Sequence, residues 1–344
     1  MTRAALLLSL AVSLSAQRPE WRMENPKVEL AVDKGGGSIV TFQFKDQKLN
    51  PLKWANQGPV NENRAMAHFV CLDRWGQPSE AELKNGMPFH GEATRVMWQG
   101  EAGGTKGRMT ASLPMAGLDI VRTIEVHPSG AGFQVTEAVT NRNKLGRPYN
   151  MVQHPTIGAP FLDESVVVDA NARRGFAQSS PLPNPEEPSF YWPQALKDGQ
   201  PISLRHLTND PDPNVVSFVV EDEMGWVTAA NAAKGLLLGY AWRTSEYPWL
   251  NIWRHVTPDG KPMARGLEFG TTGLHQPFGV LLKKGRIFGR PLTAWIEPGE
   301  TQTRTYVAFL LKIPADFQGV QQVTRQGNQF TVKERNTNRE FRVE

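Results

Sequence analysis

Short apolar stretches, cut at close intervals by glycine or proline, limit what this chain can fold into. Gly occurs 31 times and Pro 26 times in 344 residues. In a helix interior a glycine costs about 1 kcal/mol and a proline about 3, so this punctuation suits many short strands joined by turns. Segments 28–32 and 38–44 flank Lys34-Gly35-Gly36-Gly37 as a hairpin does. Segments 94–98, 108–113, 119–126 and 132–140 follow as a meander. The same pattern continues at 166–169, 215–221, 226–231, 236–242, 249–255, 278–282, 292–296 and 302–311. An unbroken series of this kind predicts an all-β protein, a large antiparallel sandwich formed by residues 18–315. Beyond Pro314, segments 322–324, 329–332 and 340–343 predict an added hairpin over 316–344 that stands outside any site. The Pro-rich stretch 177–201, with Tyr191 and Trp192, is either the rim of a cleft or a plain surface connection.

Residues 1–17 run from Arg3 through an apolar stretch to Ser13, Ser15 and Ala16. This is the outline of a secretory leader, so export to the periplasm or the cell exterior is expected. The apolar stretch is too short to span a bilayer comfortably, and no membrane insertion is expected. Cys71 is the only cysteine and reads as a small buried hydrophobe. The net charge of +4 is spread among acids, and the one basic cluster, Lys283, Lys284, Arg286 and Arg290, surrounds Gly285 and Gly289 as on a solvated hairpin. Nucleic acid is therefore not an expected partner.

Motifs for zinc, dinucleotides, P-loop phosphates and a serine nucleophile elbow are all absent, so no metal and no cofactor are expected. Three segments set His90, His154 and Glu268 in turn among small or turn-forming residues: Asn85-Gly-Met-Pro-Phe-His90-Gly91-Glu92, Asn150-Met-Val-Gln-His154-Pro155, and Arg265-Gly-Leu-Glu268-Phe-Gly-Thr-Thr272. Two histidines and a carboxylate from distant parts of a chain suit proton transfer in both directions on a small neutral substrate.

In order and approximate spacing, these residues resemble the aldose 1-epimerase (galactose mutarotase) family. Asn63-Arg64 with the later Phe89-His90-Gly91 is similar to that family's Asn-Arg and His-Gly elements. Arg122, Val139-Thr140-Asn141 and His154-Pro155 resemble its central strands, Gly266-Leu267-Glu268 its glutamate segment, and Trp295-Ile296-Glu297-Pro298-Gly299-Glu300 its closing strand. No single motif is specific; the ordered set, from about Glu29 to Leu311, carries the resemblance. Gln153-His154-Pro155-Thr156 departs from the Asn-His-x-Tyr-Phe-Asn of galactose-type members, and their sugar-contacting aspartate has no clear counterpart, with Asp163 and Asp169 the nearest in sequence. The pattern is that of a divergent branch.

The resemblance implies a β-supersandwich, a site on its concave face and a small sugar as substrate. It implies Glu268 as general base, His154 as general acid, His90 as their catalytic partner at the substrate, and Arg64 as a ligand contact. Removing the anomeric hydroxyl proton while protonating the ring oxygen opens the ring, and closure gives the other anomer. An ionised Glu268 and a cationic His154 are expected, the latter if a neighbouring group offsets burial. Trp192, Trp242, Trp249 and Trp253 are candidate flat faces for a sugar, with Trp192 and Trp253 chosen. Each has a structural alternative: a backbone hydrogen bond for the histidines, an ion pair with Glu62 or Asp73 for Arg64, core packing for the tryptophans. Glu92 either tunes a histidine or is an exposed strand-end carboxylate. A non-catalytic carbohydrate-binding protein of the same fold is the alternative function. A hydrolase or lyase on a related sandwich is a third; glycosidic cleavage would need paired carboxylates, and Glu268 lacks an evident partner.

Overall fold

The protein was analysed as a computed structural model that describes residues 18–55, 62–327 and 329–343. The leader expected at 1–17 lies outside the described residues. Two large antiparallel sheets face each other, one of 11 strands and one of 8. Alternation explains the pairing of faces. In Gly132–Asn141 every second residue is buried, including Phe133, Val135 and Val139, and Leu118–Val126 buries Leu118, Ile120, Ile124 and Val126 in the same way. These side chains meet those of the larger sheet, such as Val70, Leu72, Met151 and Phe269, in one continuous core.

That core also encloses a charged pair. Arg122 and Glu137 lie directly opposite each other on neighbouring strands, with Arg122 Nε donating to Glu137 Oε1 at 2.7 Å. Gln153 of the larger sheet donates to the other Glu137 oxygen, so the network ties the two sheets together. Buried charges of this kind are tolerated because each is paired and hydrogen-bonded. Since neighbouring residues of a strand point to opposite faces, Gln153 faces the core and His154 faces away from it, onto the outer side of the larger sheet.

In the middle of that sheet the strands run in the spatial order His68–Asp73, Arg147–Gly158, Pro262–Gly270, Trp249–Val256 and Val215–Val220. Two of the three sequence segments singled out above are therefore strand rather than turn: His154 and Glu268 sit within Arg147–Gly158 and Pro262–Gly270. Only His90 is in a turn.

Several local expectations are corrected. Segment 278–282 is not a strand but part of a helix, Phe278–Lys284. Pro277 starts it and Gly285, at φ 74°, ends it. Leu281 is buried in a satellite cluster with Trp249 and Leu292, and Lys283 and Lys284 lie at the C-terminal end, where the helix dipole favours cations. A second helix, Glu80–Lys84, carries a capping box between Ser79 and Glu82. Segment 94–98 is a turn, closed by the Trp98 indole donating to the Ala93 carbonyl at 2.9 Å. The C-terminal segment is a sheet of three strands, Val320–Gln326, Gln329–Glu334 and Glu340–Arg342, rather than a hairpin. It packs through Val323, Phe330 and Val332 on Phe309 and Leu237 of the 8-stranded sheet. No helix among the described residues is long and apolar enough to cross a membrane.

Candidate active site

Strand register brings the carboxyl group and the imidazole together. Gly266 pairs with Thr156 and Phe269 with Gln153. Continued through this register, Glu268 stands opposite His154, where Pro155 has no N–H to give to the ladder. His154 Nε2 lies 3.1 Å from Glu268 Oε1. Gly266 is required here, because a Cβ at that position would come within 2.7 Å of Glu268 Oε1. The next strand places Trp253 opposite Gly266.

Each partner is held from behind. The Trp75 indole donates to Glu268 Oε2 at 2.7 Å. His154 Nδ1 is 2.9 Å from the Thr156 hydroxyl, and the imidazole stacks on Phe69 with ring centroids 4.2 Å apart and planes 20° from parallel. His154 and Glu268 retain only 5% and 1% of their surface.

His90 joins this pair from a turn. Its φ is 65°, a left-handed conformation uncommon for a residue with a Cβ. Two hydrogen bonds hold it there: the His90 N–H donates to the Gly76 carbonyl, and the Gly76 N–H donates to His90 Nδ1, both at 3.0 Å. With Nδ1 accepting, the neutral ring carries its proton on Nε2 and can donate to a ligand. His275 closes the group, edge-on to Trp75 with centroids 4.6 Å apart. The four residues line a cavity of about 270 Å³ together with Phe69, Trp75, Phe89, Trp54, Trp253 and Asn214.

Burial decides the charges. It pushes the Glu268 carboxyl up to about 8, against the Trp75 hydrogen bond that favours the ionised form. It pushes His154 down to about 3 and His275 to about 4, and takes His90 well below the ordinary imidazole value. At neutral pH the pair therefore holds one proton between two neutral groups, not the ionised carboxylate and cationic imidazole expected from the sequence. The physical reason is that both groups leave water and no cation lines the described walls to favour the carboxylate.

Other expected contacts lie elsewhere. Trp192 packs edge-on against Phe218, centroids 5.4 Å apart, at the margin of the main core and does not line the cavity. Trp242 stacks on Phe269 in the core, and the Trp249 indole donates to the Pro291 carbonyl. Arg64 is half-buried next to Ala65, which lines the cavity, but does not line it itself. Asp73 is already paired with Arg74 and Arg147, Asp163 with Lys234, and Asp169 with Arg205 and Arg335. Glu92 is not an exposed carboxylate: it is buried and accepts the N–H groups of Met115 and Ala116. Stretch 177–201 contributes nothing to the walls; Phe190 within it packs against Phe218.

Sequence reasoning missed His275, Trp75 and Trp54. The signal available for two of them was proximity: His275 follows Thr271-Thr272-Gly273 on the glutamate segment, and Trp75 follows the strand that carries Phe69. Larger surface grooves of about 350, 410 and 650 Å³ exist. In the first, Glu125 pairs with Lys106 and His127 Nδ1 accepts the Gly130 N–H, which leaves no poised acid–base pair. No group of three or more His, Cys, Asp or Glu side chains is placed to hold a metal ion among the described residues.

Two facing antiparallel sheets with a cleft on the outer face of the larger one define the galactose mutarotase-like class of all-β folds. Solved structures share it. A candidate aldose 1-epimerase from Escherichia coli K12 superposes with a TM-score of 0.61 at 14% identity, covering 86% of this chain and 99% of that one. A galactose mutarotase related enzyme from Lactobacillus acidophilus gives 0.63 at 11% identity over 86% and 98%. A galactose mutarotase-like protein from Lactobacillus casei gives 0.61 at 14% over 85% and 100%. Within this fold class the chain belongs to the family described as a domain of unknown function, DUF4432, whose profile matches residues 72–305. No curated protein matches the sequence.

Proposed function

We propose that this protein is an aldose 1-epimerase-like isomerase that interconverts the anomers of a neutral, unphosphorylated aldose. The observation that carries the reading is the buried His154 Nε2 to Glu268 Oε1 contact of 3.1 Å at the floor of an aromatic-walled cleft. The hydroxyl oxygen and ring oxygen of a cyclic aldose are bonded to one carbon, so they lie close enough together to meet both members of this pair at once. One member takes a proton while the other gives one, which is the whole chemical requirement of ring opening. His90 Nε2–H donates to a substrate oxygen. Trp54, Trp253 and Phe89 offer apolar faces to the C–H side of the sugar.

The size and charge of the cleft support the substrate class. A volume of about 270 Å³ falls just under the roughly 300–1,000 Å³ of drug-sized pockets and suits a single sugar ring. No lysine or arginine lines the described walls, so a phosphate or carboxylate on the sugar would enter unpaired. The fold neighbours include proteins described as aldose 1-epimerase and galactose mutarotase candidates, which agrees with this reading.

NMR exchange between the α- and β-anomers of unphosphorylated hexoses and pentoses tests it. Acceleration by the purified protein, absent for the corresponding sugar phosphates, is the expected result. Sugar binding without acceleration would make this a carbohydrate-binding protein of the same fold. The reading also includes export directed by residues 1–17; intact mass of the protein from the periplasmic or medium fraction should lack that leader.

A further inference from the structure

Resting on the epimerase reading, we propose that His275 is a specificity-determining residue: it hydrogen-bonds a sugar hydroxyl away from the reacting carbon and so sets which aldose the cleft accepts.

Four titratable side chains line the cleft, and three of them already have polar partners. Glu268 has Trp75 and His154 at its two oxygens, His154 Nδ1 lies beside the Thr156 hydroxyl, and His90 Nδ1 accepts the Gly76 N–H. Asn214, also on the wall, donates to the Arg254 carbonyl. His275 differs. Among the described residues its ring nitrogens have no hydrogen-bond partner, and the side chain makes only edge-on contacts with Trp75, Phe89 and His90, centroids 4.6, 5.3 and 5.6 Å apart.

The residue is nevertheless held firmly. Its backbone N–H donates to Gln178 Oε1 at 2.9 Å, and Gln178 Nε2 donates in turn to Ser217 Oγ and to the Gly273 carbonyl, both at 2.7 Å. Gly76 makes room for the ring, since a Cβ at that position would come within 2.7 Å of His275 Cδ2 and Nε2. The same glycine gives its N–H to His90, so one residue seats both imidazoles. Packing against three aromatic rings would be served equally well by a phenylalanine, without withdrawing two polar nitrogens from water. A fixed ring with unused nitrogens on a cleft wall is preorganised for a partner that the chain does not supply.

The chemistry of that partner follows from the ring. Burial pushes His275 down to about 4, so at neutral pH it is uncharged and offers one N–H and one lone pair. A hydroxyl has a proton to give and lone pairs to receive with, so it can bond the imidazole whichever nitrogen carries the hydrogen. His275 makes no hydrogen bond to Glu268 or His154 and stands apart from the proton-transferring pair. The His90 ring is 5.6 Å from the rings of both His154 and His275. A sugar seated on the pair beside His90 therefore meets His275 with a hydroxyl on another carbon.

The test is a cycle between residue and hydroxyl. Anomer exchange and calorimetric binding are measured for wild type and His275→Phe, using the aldose that wild type turns over fastest and its monodeoxy analogues at each carbon other than the anomeric one. One analogue should lose at least about tenfold in kcat/KM with wild type, because it leaves the imidazole unpaired. His275→Phe should treat that analogue and the parent alike, while still discriminating at the other positions as wild type does. His275→Gln keeps a donor and an acceptor and should restore part of the lost discrimination; if His275→Phe does not fold, a change confined to the same analogue in His275→Gln is the expected result. A loss spread evenly over the parent and every analogue would make His275 a piece of wall, and unchanged discrimination at every position would leave it without a contact. Either result overturns this inference and leaves the epimerase reading standing. Binding without exchange in wild type overturns the epimerase reading, and the same cycle read in affinity then decides the His275 contact. Neither exchange nor binding overturns both.

Discussion

The Trp75 indole donates to Glu268 Oε2 at 2.7 Å while His154 Nε2 lies 3.1 Å from Oε1, so one carboxyl group is held at both oxygens. Such a clamp fixes the direction in which Oε1 presents itself to a ligand. Trp75→Phe keeps the ring and removes only the donor. A hydrogen bond to a group that becomes charged contributes about 1.5–3 kcal/mol, so kcat for anomer exchange should fall by about 10- to 100-fold. Sugar affinity measured by calorimetry should change much less. Equal losses in kcat and affinity would mean that Trp75 serves the cavity wall and not the carboxyl group.

Stability should pass through a maximum near pH 6.5. Glu268 is pushed up to about 8 when folded, so above its ordinary value the native state keeps a proton that the unfolded chain releases, and stability falls as pH rises towards 8. His154 and His275 are pushed down to about 3 and 4, so the unfolded chain binds their protons first, and stability rises with pH up to the ordinary imidazole value. Between 6.5 and 8 only the Glu268 contribution operates, at up to about 1.4 kcal/mol per pH unit. Urea midpoints compared between wild type and Glu268→Gln should therefore diverge across that interval, with the decline present only in the wild type. Parallel curves would show that Glu268 titrates normally.

The two tryptophans named from sequence should respond in opposite ways. Trp253 lines the cleft and its indole lies edge-on to Trp54, centroids 5.6 Å apart. Trp253→Ala should weaken sugar binding by about 1–2 kcal/mol, roughly 5- to 30-fold. Trp192 lies outside the cleft, and its indole nitrogen is buried with no hydrogen-bond partner among the described residues. Trp192→Phe removes that unsatisfied group, so it should leave binding unchanged and stability equal or slightly higher. Calorimetry and thermal unfolding read both.

His90 combines a left-handed backbone with a side-chain donor. Asn tolerates that conformation better than most residues, so His90→Asn should unfold at nearly the wild-type temperature. Loss of the Nε2–H should cost about tenfold in kcat/KM. A variant that loses folding and activity together would assign His90 to the turn alone.

Much of this was legible in the chain because the relevant signals were local. Period-two burial in Leu118–Val126 and Gly132–Asn141 is written in their residues, and the strands came out within a residue or two. His154 and Glu268 were legible through the ordered elements around them, although their strand setting was not, because Pro155 and Gly266 read as turn residues. Both instead serve the strand pair: one interrupts the ladder and the other makes room for a carboxyl group. His275, Trp75 and Trp54 were not legible, since only the folded sheet brings the turns that carry them to one place. Segment 278–282 misled because a short apolar run has no period of its own; burial of Leu281 and the ends at Pro277 and Gly285 make it part of a helix. Trp192 misled because composition cannot say which side of a sheet margin an indole will face.

The central claim is that the Glu268–His154 pair moves the two protons of ring opening. The most direct measurement is the rate of anomer exchange by NMR for wild type, Glu268→Gln and His154→Gln, with sugar binding followed in parallel by calorimetry. The account predicts acceleration by the wild type, a loss of about 10²–10⁴-fold in each variant, and binding retained in both. Full activity in either variant, or binding by the wild type with no acceleration, would contradict it.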